Sequence, residues 1–575
     1  MATLSFQRSA GRSKGRSVDP AATSRLGELL AGLPRRRDLL IEALHRVQDA
    51  DRQLSAAMIT ALADEFGLAP AEVFEVATFY HHFDVVKEGE PAPAGLTVRV
   101  CESLSCELAG ARGLIERLQR VLGESVRVQP VPCVGRCAQA PAVVVDQFPV
   151  APADVDSIRA AIAQGQRSCP LPGGQDYAAY RQGGGYGLLD SLLAGARPPE
   201  TLFVELEQAG LRGLGGAGFP AGRKWRLVSQ QPAPRLLVVN ADEGEPGTFK
   251  DRHYLERDPH RFIEGMLIAA WATQCEGCYI YLRDEYAGVR GLLERELAAL
   301  RADPGWPAGA LPAIHLRRGA GAYICGEESA LIESVEGKRG MPRLRPPYVA
   351  EVGLFGRPTL AHNVETLYWV PEILQRGAAW FSSFGRRGRK GLRSFSVSGR
   401  VCDPGVKLAP AGISVRELID EYCGGMPAGR SLYAYVPGGA SGGILPASLA
   451  DLPLDFDTLQ PHGCLIGSAA VIVLSDQDSA RDAALNFMNF FRHESCGQCT
   501  PCRVGTAKAA TLMQRTHWDR ELLEQLSQAM IDASICGLGQ AAPNPLQCVL
   551  RYFPQELGPV HTKCVPTPAS GGPQG

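Results

Sequence analysis

The chain lacks a long apolar run. No stretch reaches the roughly 18 residues that a membrane-spanning helix needs, so we expect no direct membrane span. An excess of either charge is also missing: the formal net charge is −2 over 575 residues, which gives no support for a nucleic-acid partner. The amino terminus has no apolar core of about 7–15 residues and is not a secretory signal. We therefore expect a cytoplasmic protein.

The first 18 residues are basic, with Arg8, Arg12, Lys14 and Arg16 and no acid. We predict a flexible, solvated tail over residues 1–25, with a mitochondrial presequence as the alternative. Cysteine, by contrast, is abundant, with 17 residues. Because a long chain without a secretion signal rarely uses disulfides, clusters of cysteine in it more often bind metal or carry out redox chemistry.

The most specific cysteine pattern is "HESCGQCTPCR", residues 493–503, which spaces three thiols as Cys-x2-Cys-x2-Cys. Bacterial ferredoxins use this spacing to give three thiolates to one cubane, and the fourth ligand comes from elsewhere. A candidate fourth thiol lies in the glycine-rich "DASICGLGQAAPNP". Tetrahedral zinc is the alternative, but zinc more often uses two separate Cys-x2-Cys pairs. We favour a [4Fe–4S] cluster on Cys496, Cys499, Cys502 and Cys536.

A second set of thiols is formed by "CESLSCELAG" and "PCVGRCAQAP". Each pair follows a predicted strand, so both pairs are expected on neighbouring loops at one end of a sheet. Four thiolates in two pairs suit a [2Fe–2S] cluster, two for each iron. Zinc or two redox disulfides are the alternatives. The predicted ligands are Cys101, Cys106, Cys133 and Cys137.

Other cysteines resemble metal ligands only superficially. Cys275 and Cys278 form a Cys-x2-Cys pair, but the pair runs directly into an apolar strand and has no partner pair nearby. We predict that these are buried structural cysteines. The same prediction covers Cys169, Cys402, Cys423, Cys464, Cys548 and Cys564.

Glycine-rich and acidic stretches follow in the middle of the chain. "GLRGLGGAGFPAGRKW" contains a G-x-G-x-x-G pattern and a lysine, which suit phosphate binding by backbone N–H groups. "NADEGEPGTFKDR" ends a predicted buried strand, and "GAGAYICGEESAL", "RLRPPY" and "HNVET" add further polar turns. Each stretch taken alone is more often a solvated loop. Their concentration in about 160 residues indicates a nucleotide or flavin site.

These motifs together with "ESCGQCTPCR" closely resemble the flavin-containing, NADH-binding subunit of respiratory complex I and its relatives. Residues 26–165 are similar to the complex I subunit that carries a [2Fe–2S] cluster on a thioredoxin-like fold. The fusion of both in one chain is typical of diaphorase subunits. "SFSVSGRVCDPGVKLAPAG" and "YVPGGASGGILPASL" look most like the β subunit of a molybdenum- or tungsten-containing, NAD-dependent formate dehydrogenase.

The resemblance implies a multi-domain α/β chain. A helical segment (26–90) precedes a thioredoxin-like [2Fe–2S] domain (91–168) and a Rossmann-like FMN and NADH domain (169–390). A ubiquitin-like β-grasp (SLBB-type) domain (391–475), a helical [4Fe–4S] bundle (476–556) and a flexible tail (557–575) complete it.

The resemblance also assigns roles to side chains, and it implies no catalytic acid or base because hydride passes directly between nicotinamide and flavin. Glu245 and Glu328 would orient NADH. The positions that match the FMN site are Gly213, Gly215, Lys224, Asn240, Asp242, Gly326, Glu327, Asn363 and Thr366. The positions that match the NADH site are Phe219, Glu245, Glu328, Arg345 and Tyr348.

The resemblance implies an NADH:acceptor diaphorase with FMN, NAD, [2Fe–2S] and [4Fe–4S] cofactors. Formate would be oxidised on a partner α subunit that holds a molybdenum or tungsten pterin cofactor and further iron–sulfur clusters, because no pterin-binding region is recognisable in this chain. The alternatives are the diaphorase subunit of an NAD-reducing hydrogenase or of a complex I-type NADH dehydrogenase. A non-catalytic iron–sulfur relay or scaffold and a zinc-binding interaction module are further alternatives.

Overall fold

The computed structural model describes residues 17–558. The basic residues of the first 16 positions and Cys564 lie outside this range. Helix α1 begins at Pro20, inside the range predicted as a flexible tail, because Asp19 caps it by accepting a hydrogen bond from the Ala21 N–H at 2.9 Å. No helix in 17–558 combines the length and the apolar character needed to cross a bilayer.

The amino-terminal segment is helical, as predicted. Its helices pack through apolar stripes such as Val73, Val76 and Ala77, which are buried. Two-residue strands β1 and β2 pair in parallel at one side. The elements are α1 (Pro20–Leu29), α2 (Leu40–Asp51), β1 (Leu54–Ser55), α3 (Ala56–Phe66), α4 (Pro70–Phe79) and β2 (Val85–Val86).

A small α/β unit follows, with a sheet in the order β4-β3-β5-β6. Strands β3 and β4 are parallel, and Cys101 at the end of β3 pairs with Val131 at the end of β4. The carboxyl ends of both strands therefore meet at one edge. The elements are β3 (Leu96–Cys101), α5 (Leu104–Leu108), α6 (Ala111–Leu122), β4 (Val126–Val131), β5 (Val143–Val145), β6 (Phe148–Val150) and α7 (Val155–Ala163).

The largest unit is built on a parallel sheet in the order β10-β7-β8-β9, flanked by helices. Strand β7 is the predicted buried strand that "NADEGEPGTFKDR" ends, and its sequence includes "LLVVN" at 236–240. It is mostly buried, as expected for a parallel strand covered on both faces. The strands are β7 (Arg235–Ala241), β8 (Cys275–Leu282), β9 (Ala313–Arg318) and β10 (Thr359–Asn363). The helices are α8 (Tyr177–Gln182), α9 (Gly187–Leu193), α10 (Pro199–Ala209), α11 (Ala221–Ser229), α12 (Lys250–Arg257), α13 (Pro259–Thr273), α14 (Ala287–Ala302), α15 (Glu328–Val335), α16 (Val364–Arg376) and α17 (Ala378–Ser382).

Residues 391–475 form a mixed sheet in the order β12-β11-β15-β13-β14, with one helix after its second strand. The first and last strands of this unit, β11 and β15, are neighbours and run parallel. The elements are β11 (Leu392–Gly399), β12 (Gly405–Pro410), α18 (Val415–Tyr422), β13 (Leu432–Val436), β14 (Leu445–Pro446) and β15 (Ala470–Ser475).

The last part of the described chain is a helical bundle, as the resemblance implies. Phe487 and Phe491 lie one turn apart on α19, and both are buried in the bundle. The helices are α19 (Ala480–Glu494), α20 (Thr500–Met513), α21 (Arg520–Ala533), α22 (Gly537–Ala541) and α23 (Asn544–Tyr552).

Most of the cysteines set aside as structural are buried, including Cys275 and Cys278 in β8. Two differ from the prediction: Cys402 is exposed and Cys169 is only half-buried. Cys402 follows β11 in a turn at the end of the strand, so its side chain has no apolar layer to enter.

Candidate electron-transfer site

The four thiols of the small α/β unit lie together at one edge of its sheet. Cys101 ends β3 and is in hydrogen-bond contact with Cys106 and Cys133. The Sγ atoms of Cys133 and Cys137 are 3.2 Å apart. All four thiols are buried. A continuous, buried set of four sulfurs fits the two-per-iron requirement of a [2Fe–2S] cluster.

Neighbouring units cover this thiol set. Phe249 of the central unit packs on Cys133 and Cys137, and Val406 of β12 adds apolar contact. The backbone of Gly247 hydrogen-bonds Cys137, and Arg283 donates to the carbonyl oxygen of Cys133 at 2.6 Å. The thiol set therefore faces the central unit directly, which the sequence spacing did not reveal.

The second thiol set lies between α19 and α22. Cys496, Cys499 and Cys502 occupy the loop after α19 and the first turn of α20, and Cys536 immediately precedes α22. The N–H groups of Leu538 and Gly539 hydrogen-bond the Cys536 thiol. Helices α20 and α21, each of 14 residues, run between Cys502 and Cys536 and bring the predicted fourth thiol back to the other three.

Close packing at this set depends on a glycine. A Cβ atom at Gly539 would lie 2.4 Å from Ser534 Oγ and 2.9 Å from Cys502 Cβ. Burial raises the pKa of Cys502 to about 12 and that of Cys536 to about 11. Burial thus favours the protonated form of these two thiols, and iron must displace their protons because only thiolates ligate the metal. The donor set itself fits a [4Fe–4S] cluster.

The predicted FMN residues cluster at the carboxyl edge of the parallel sheet, where open α/β sheets bind ligands. Asn240 at the end of β7 pairs in register with Asn363 at the end of β10. The amide of Asn240 donates to the Gly326 carbonyl at 2.7 Å. A Cβ atom at Gly215 would lie 3.0 Å from the Asn363 Cβ atom. The backbone of the glycine loop thus packs directly against Asn363, with little room for a side chain at residue 215.

Asp242 fits a ligand site because one of its carboxyl oxygens has no hydrogen-bond partner in the described protein. Its Oδ2 atom is buried and accepts no hydrogen bond from the described protein. Burial raises the pKa of Asp242 well above its ordinary value, although Arg283 opposes the shift. A buried carboxyl without a partner costs free energy, and a bound group with a hydroxyl or N–H donor would remove this cost. We regard this atom as the strongest sign that the edge accepts a polar cofactor.

The glycine loop is tied back to the sheet. Gly213 donates to the Phe219 carbonyl at 2.8 Å, and the hydroxyl of Thr366 accepts from the Leu214 N–H at 2.9 Å. Lys224 on α11 donates to the Ala361 carbonyl at 3.1 Å. Burial lowers the pKa of Lys224, while Glu328 acts in the opposite direction. The loop therefore presents its backbone and one partly desolvated cation to the same edge.

The predicted NADH residues divide between ion-paired and exposed side chains. Beside them, Glu327 of the predicted FMN set caps α15 by accepting from the Ser329 N–H at 3.0 Å. Arg345 pairs with both Glu327 and Glu328. Phe219 and Tyr348 are exposed at 37% and 55%. Exposed aromatic rings such as these suit stacking with an adenine or nicotinamide ring.

Glu245 is held apart from the arginine cluster. It accepts from the N–H and the hydroxyl of Ser441, each at 2.7 Å, and from the hydroxyl of Tyr323. Gly439 makes this possible, since a Cβ atom there would lie 2.5 Å from the Glu245 Cγ atom. Residues 439 and 441 belong to the "VPGGASGGILP" stretch, so the fourth unit completes the site.

Sequence reasoning missed Lys250. It lies within the "NADEGEPGTFKDR" motif, which was the available signal, but it is 1% exposed and fully enclosed. Its Nζ atom contacts Asp251 at 2.8 Å, Glu365 at 3.0 Å and Asn363 at 3.4 Å. Burial lowers the pKa of Lys250, but the surrounding carboxylates outweigh burial and raise it. A buried ammonium thus fixes the orientation of the asparagine at the site.

Family models match the chain in three places. Residues 206–372 match the Nuo51 FMN-binding domain, residues 26–166 match the thioredoxin-like [2Fe-2S] ferredoxin, and residues 482–559 match the NADH-ubiquinone oxidoreductase-F iron-sulfur binding region. These matches fall on the sheet edge and the two thiol sets described above. The predicted cofactors FMN, NADH, [2Fe–2S] and [4Fe–4S] are thereby confirmed for these domains.

Fold and site together define a flavin- and iron–sulfur-containing oxidoreductase. An NADH-quinone oxidoreductase chain of Rhizobium meliloti (strain 1021) is 41% identical over 403 residues, which cover 68% of this chain and 96% of that protein. The Dictyostelium discoideum mitochondrial NADH dehydrogenase [ubiquinone] flavoprotein 1 is 43% identical over 374 residues, 62% of this chain and 78% of that protein. The chain belongs to the family of complex I 51 kDa-type, NADH-oxidising FMN subunits.

A solved structure is similar over nearly the whole length. A chain of an NAD+-reducing [NiFe]-hydrogenase in the H2-reduced state superposes with a TM-score of 0.77 and is 34% identical. The similarity covers 91% of this chain and 92% of that chain. The fold of nearly the whole described chain is therefore shared with that hydrogenase chain.

Proposed function

We propose that this chain is the diaphorase subunit of a larger NAD-linked enzyme, and that it exchanges electrons between NAD(H) and one-electron carriers. A bound FMN supplies the exchange between two-electron hydride chemistry and one-electron transfer. The observation that carries the proposal is the convergence of both thiol sets on one loop system. Cys133 lies within electrostatic range of Glu245, and Cys536 lies within range of Glu327 and Tyr323.

The side chains at the sheet edge would bind and orient, without acting as a catalytic acid or base. In the proposal Asn240, Asn363 and Asp242 present amide and carboxyl groups to polar atoms of the flavin. Lys224 and the loop from Gly213 present positive charge and N–H groups to its phosphate. Gly215, Gly326, Glu327 and Thr366 complete the proposed FMN set.

The proposed NADH set is Phe219, Glu245, Glu328, Arg345 and Tyr348. Its two exposed aromatic rings would hold the bases of the dinucleotide by stacking. The carboxylates would accept hydrogen bonds from ribose hydroxyls, and Arg345 would meet a phosphate once NADH competes with its ion pairs. In this arrangement the binding groups are separate from the reacting atoms of nicotinamide and flavin. The reacting atoms need only close approach and the exclusion of water.

The identity of the partner subunit distinguishes two candidate enzymes. The sequence motifs favour a formate dehydrogenase, with a molybdenum or tungsten α subunit. The comparisons support the alternative better, because the similar solved chain comes from an NAD+-reducing [NiFe]-hydrogenase and the similar curated sequences are complex I-type subunits. We propose a hydrogenase-type or complex I-type assembly as the first candidate and the formate enzyme as the second.

We also propose the ubiquitin-like assignment for residues 391–475. Its support is the strand order: counted within this unit, the order is second, first, fifth, third, fourth, with a helix between the second and third strands. The domain bounds and the cytoplasmic location stated above stay predictions.

The proposal is tested by purifying the chain with and without its native partners. The isolated chain should contain FMN and iron, and it should oxidise NADH with ferricyanide as acceptor. It should not oxidise formate or hydrogen without a partner, since no pterin or nickel centre is proposed in it. Metal analysis of the co-purified complex decides the partner: nickel supports a hydrogenase-type assembly, molybdenum or tungsten supports the formate enzyme, and the absence of all three metals supports a complex I-type assembly. A preparation with iron but without flavin would support a non-catalytic relay.

A further inference from the structure

A cluster of potential metal ligands lies where three units meet, outside the FMN and NADH residues. His81 follows α4, and His493 and Glu494 end α19. One ligand atom from each of the three side chains lies within 4.8 Å of the other two. The rings of His81 and His493 are 4.0 Å apart between centroids.

Contacts around the cluster leave ligand atoms available. Glu494 Oε2 accepts from the Tyr323 N–H at 2.8 Å, which leaves Oε1 directed at His493 Nδ1 at 3.1 Å. His81 hydrogen-bonds the backbone of Gly321, so its other ring nitrogen is free to coordinate. Backbone contacts that orient a carboxylate and an imidazole are the usual outer shell of a metal site.

The electrostatic surroundings favour a cation. Glu102 lies within electrostatic range of His493 and adds a second carboxylate to that of Glu494, while Arg492 opposes them. Both histidines are exposed, which provides an entry path, and Glu494 is buried. Two imidazoles and one carboxylate are a ligand set that zinc uses with a fourth open position.

Another trio in the same region contrasts with this one. His45, His82 and Asp284 also lie within 4.8 Å of one another. There Asp284 is already neutralised by Arg318 through a short ion pair at 2.5 Å, and Arg290 lies beyond it at 3.9 Å. Two guanidinium groups oppose an added cation, so this trio is a closed structural network.

We propose that His81, His493 and Glu494 bind one divalent transition-metal cation of the zinc class, with water or Glu102 at the remaining position. The ion would fasten the amino-terminal helical segment to the [4Fe–4S] bundle, because its ligands come from both. Ligands on one tetrahedral zinc are about 3.4 Å apart when each bond is about 2.05 Å. Rotation of the two exposed imidazoles closes the present separation. The inference does not depend on the proposed partner or reaction.

The test uses the full-length holoprotein, washed with EDTA and titrated with ZnCl2 by calorimetry. The parent should bind one equivalent of zinc. In His81→Ala the affinity for zinc should be lower by about tenfold or more. His517→Ala changes an exposed histidine outside the cluster and should bind like the parent. Iron and flavin contents of every variant show whether the clusters and the fold are intact. Equal binding by the parent and His81→Ala overturns the proposal.

X-ray absorption at the zinc edge provides a second readout that needs no variant. The proposed site predicts nitrogen and oxygen ligands at about 2.0–2.1 Å. Sulfur ligands at about 2.3 Å would mean that zinc occupies cysteines instead, and would also overturn the proposal.

A melting-temperature measurement adds a third readout. Zinc should raise the melting temperature of the parent but not that of His81→Ala, because the bound ion links the two units only where the site is intact.

Discussion

Lys250→Met should destabilise the flavin domain strongly. The substitution removes a buried ammonium and leaves Asp251 and Glu365 as buried carboxylates without a cation at 2.8 and 3.0 Å. Breaking a buried ion pair by removing one partner costs about 3–5 kcal/mol. At about 2–4 °C per kcal/mol for a domain of this size, the melting temperature of the domain should fall by roughly 6–20 °C.

Differential scanning fluorimetry of the flavin-depleted protein measures this effect directly. Lys390→Met is the matched control, because Lys390 is exposed and its ammonium donates to the Gln208 carbonyl at 3.4 Å without a carboxylate partner in the described chain. It should change the melting temperature by no more than about 1 °C. The double variant Lys250→Met/Glu365→Gln should recover part of the loss, since the glutamine oxygen can still accept from the Ser394 N–H, which donates to Glu365 at 3.0 Å.

The same variant also tests whether the ammonium orients the FMN site. Lys250 contacts Asn363 Oδ1 at 3.4 Å, so Lys250→Met should release FMN more readily than the parent. A melting temperature within about 2 °C of the parent, or a double variant less stable than the single one, would refute the reasoning.

Three further predictions concern the clusters and the flavin edge. Cys536→Ser should lower iron from about six to about two atoms per chain by losing the [4Fe–4S] cluster, whereas Cys275→Ser should leave iron unchanged. Gly215→Ala should weaken FMN binding by about tenfold, because an added methyl meets Asn363 and overpacking costs about 1–3 kcal/mol. Gly187→Ala, outside the proposed FMN set and with no atom within 4 Å of the added methyl, should bind normally. Asp242→Asn should reduce the loss of apoprotein stability as pH rises.

The sign of the last prediction follows from proton linkage. The folded pKa of Asp242 is raised by burial, so the folded state holds the proton that the unfolded state releases above about pH 4. Stability therefore falls with pH from about 4 up to the folded pKa, and an amide removes this slope. Melting temperatures of parent and variant between pH 5 and 8 measure it, and parallel slopes would contradict the assignment.

Iron analysis checks the prediction for Cys536→Ser, and flavin release checks the prediction for the two glycine variants. Retained [4Fe–4S] iron in Cys536→Ser would mean that another residue supplies the fourth ligand. Equal FMN affinities of the two glycine variants would mean that the loop does not approach the asparagine pair in solution as closely as it does here.

The buried network around Lys250 also connects the site to regular secondary structure. Its carboxylates belong to α12 and α16, and Glu365 additionally accepts from the backbone of β11 at 3.0 Å. One enclosed cation thus joins the sheet edge to the following unit. Removing it should disturb several elements at once, which is why its predicted effect exceeds that of any single surface contact.

Much of this protein's site could be predicted from patterns over short stretches of the sequence. Cysteine spacing indicated two iron–sulfur sets, because ligand geometry acts over a few residues. The strand endings also placed Asn240 and the thiols at sheet edges. These inferences needed only the local period of the chain and the chemistry of the side chains.

Long-range contacts depended on the tertiary structure, because they join residues whose separation in sequence carries no pattern. Sequence spacing could not show that Ser441 holds Glu245, that Phe249 covers Cys137, or that Lys250 is fully enclosed. The meeting of His81 with Glu494 is of the same kind. Burial and charge pairing arise only when separate units pack together, so neither composition nor motif spacing predicts them.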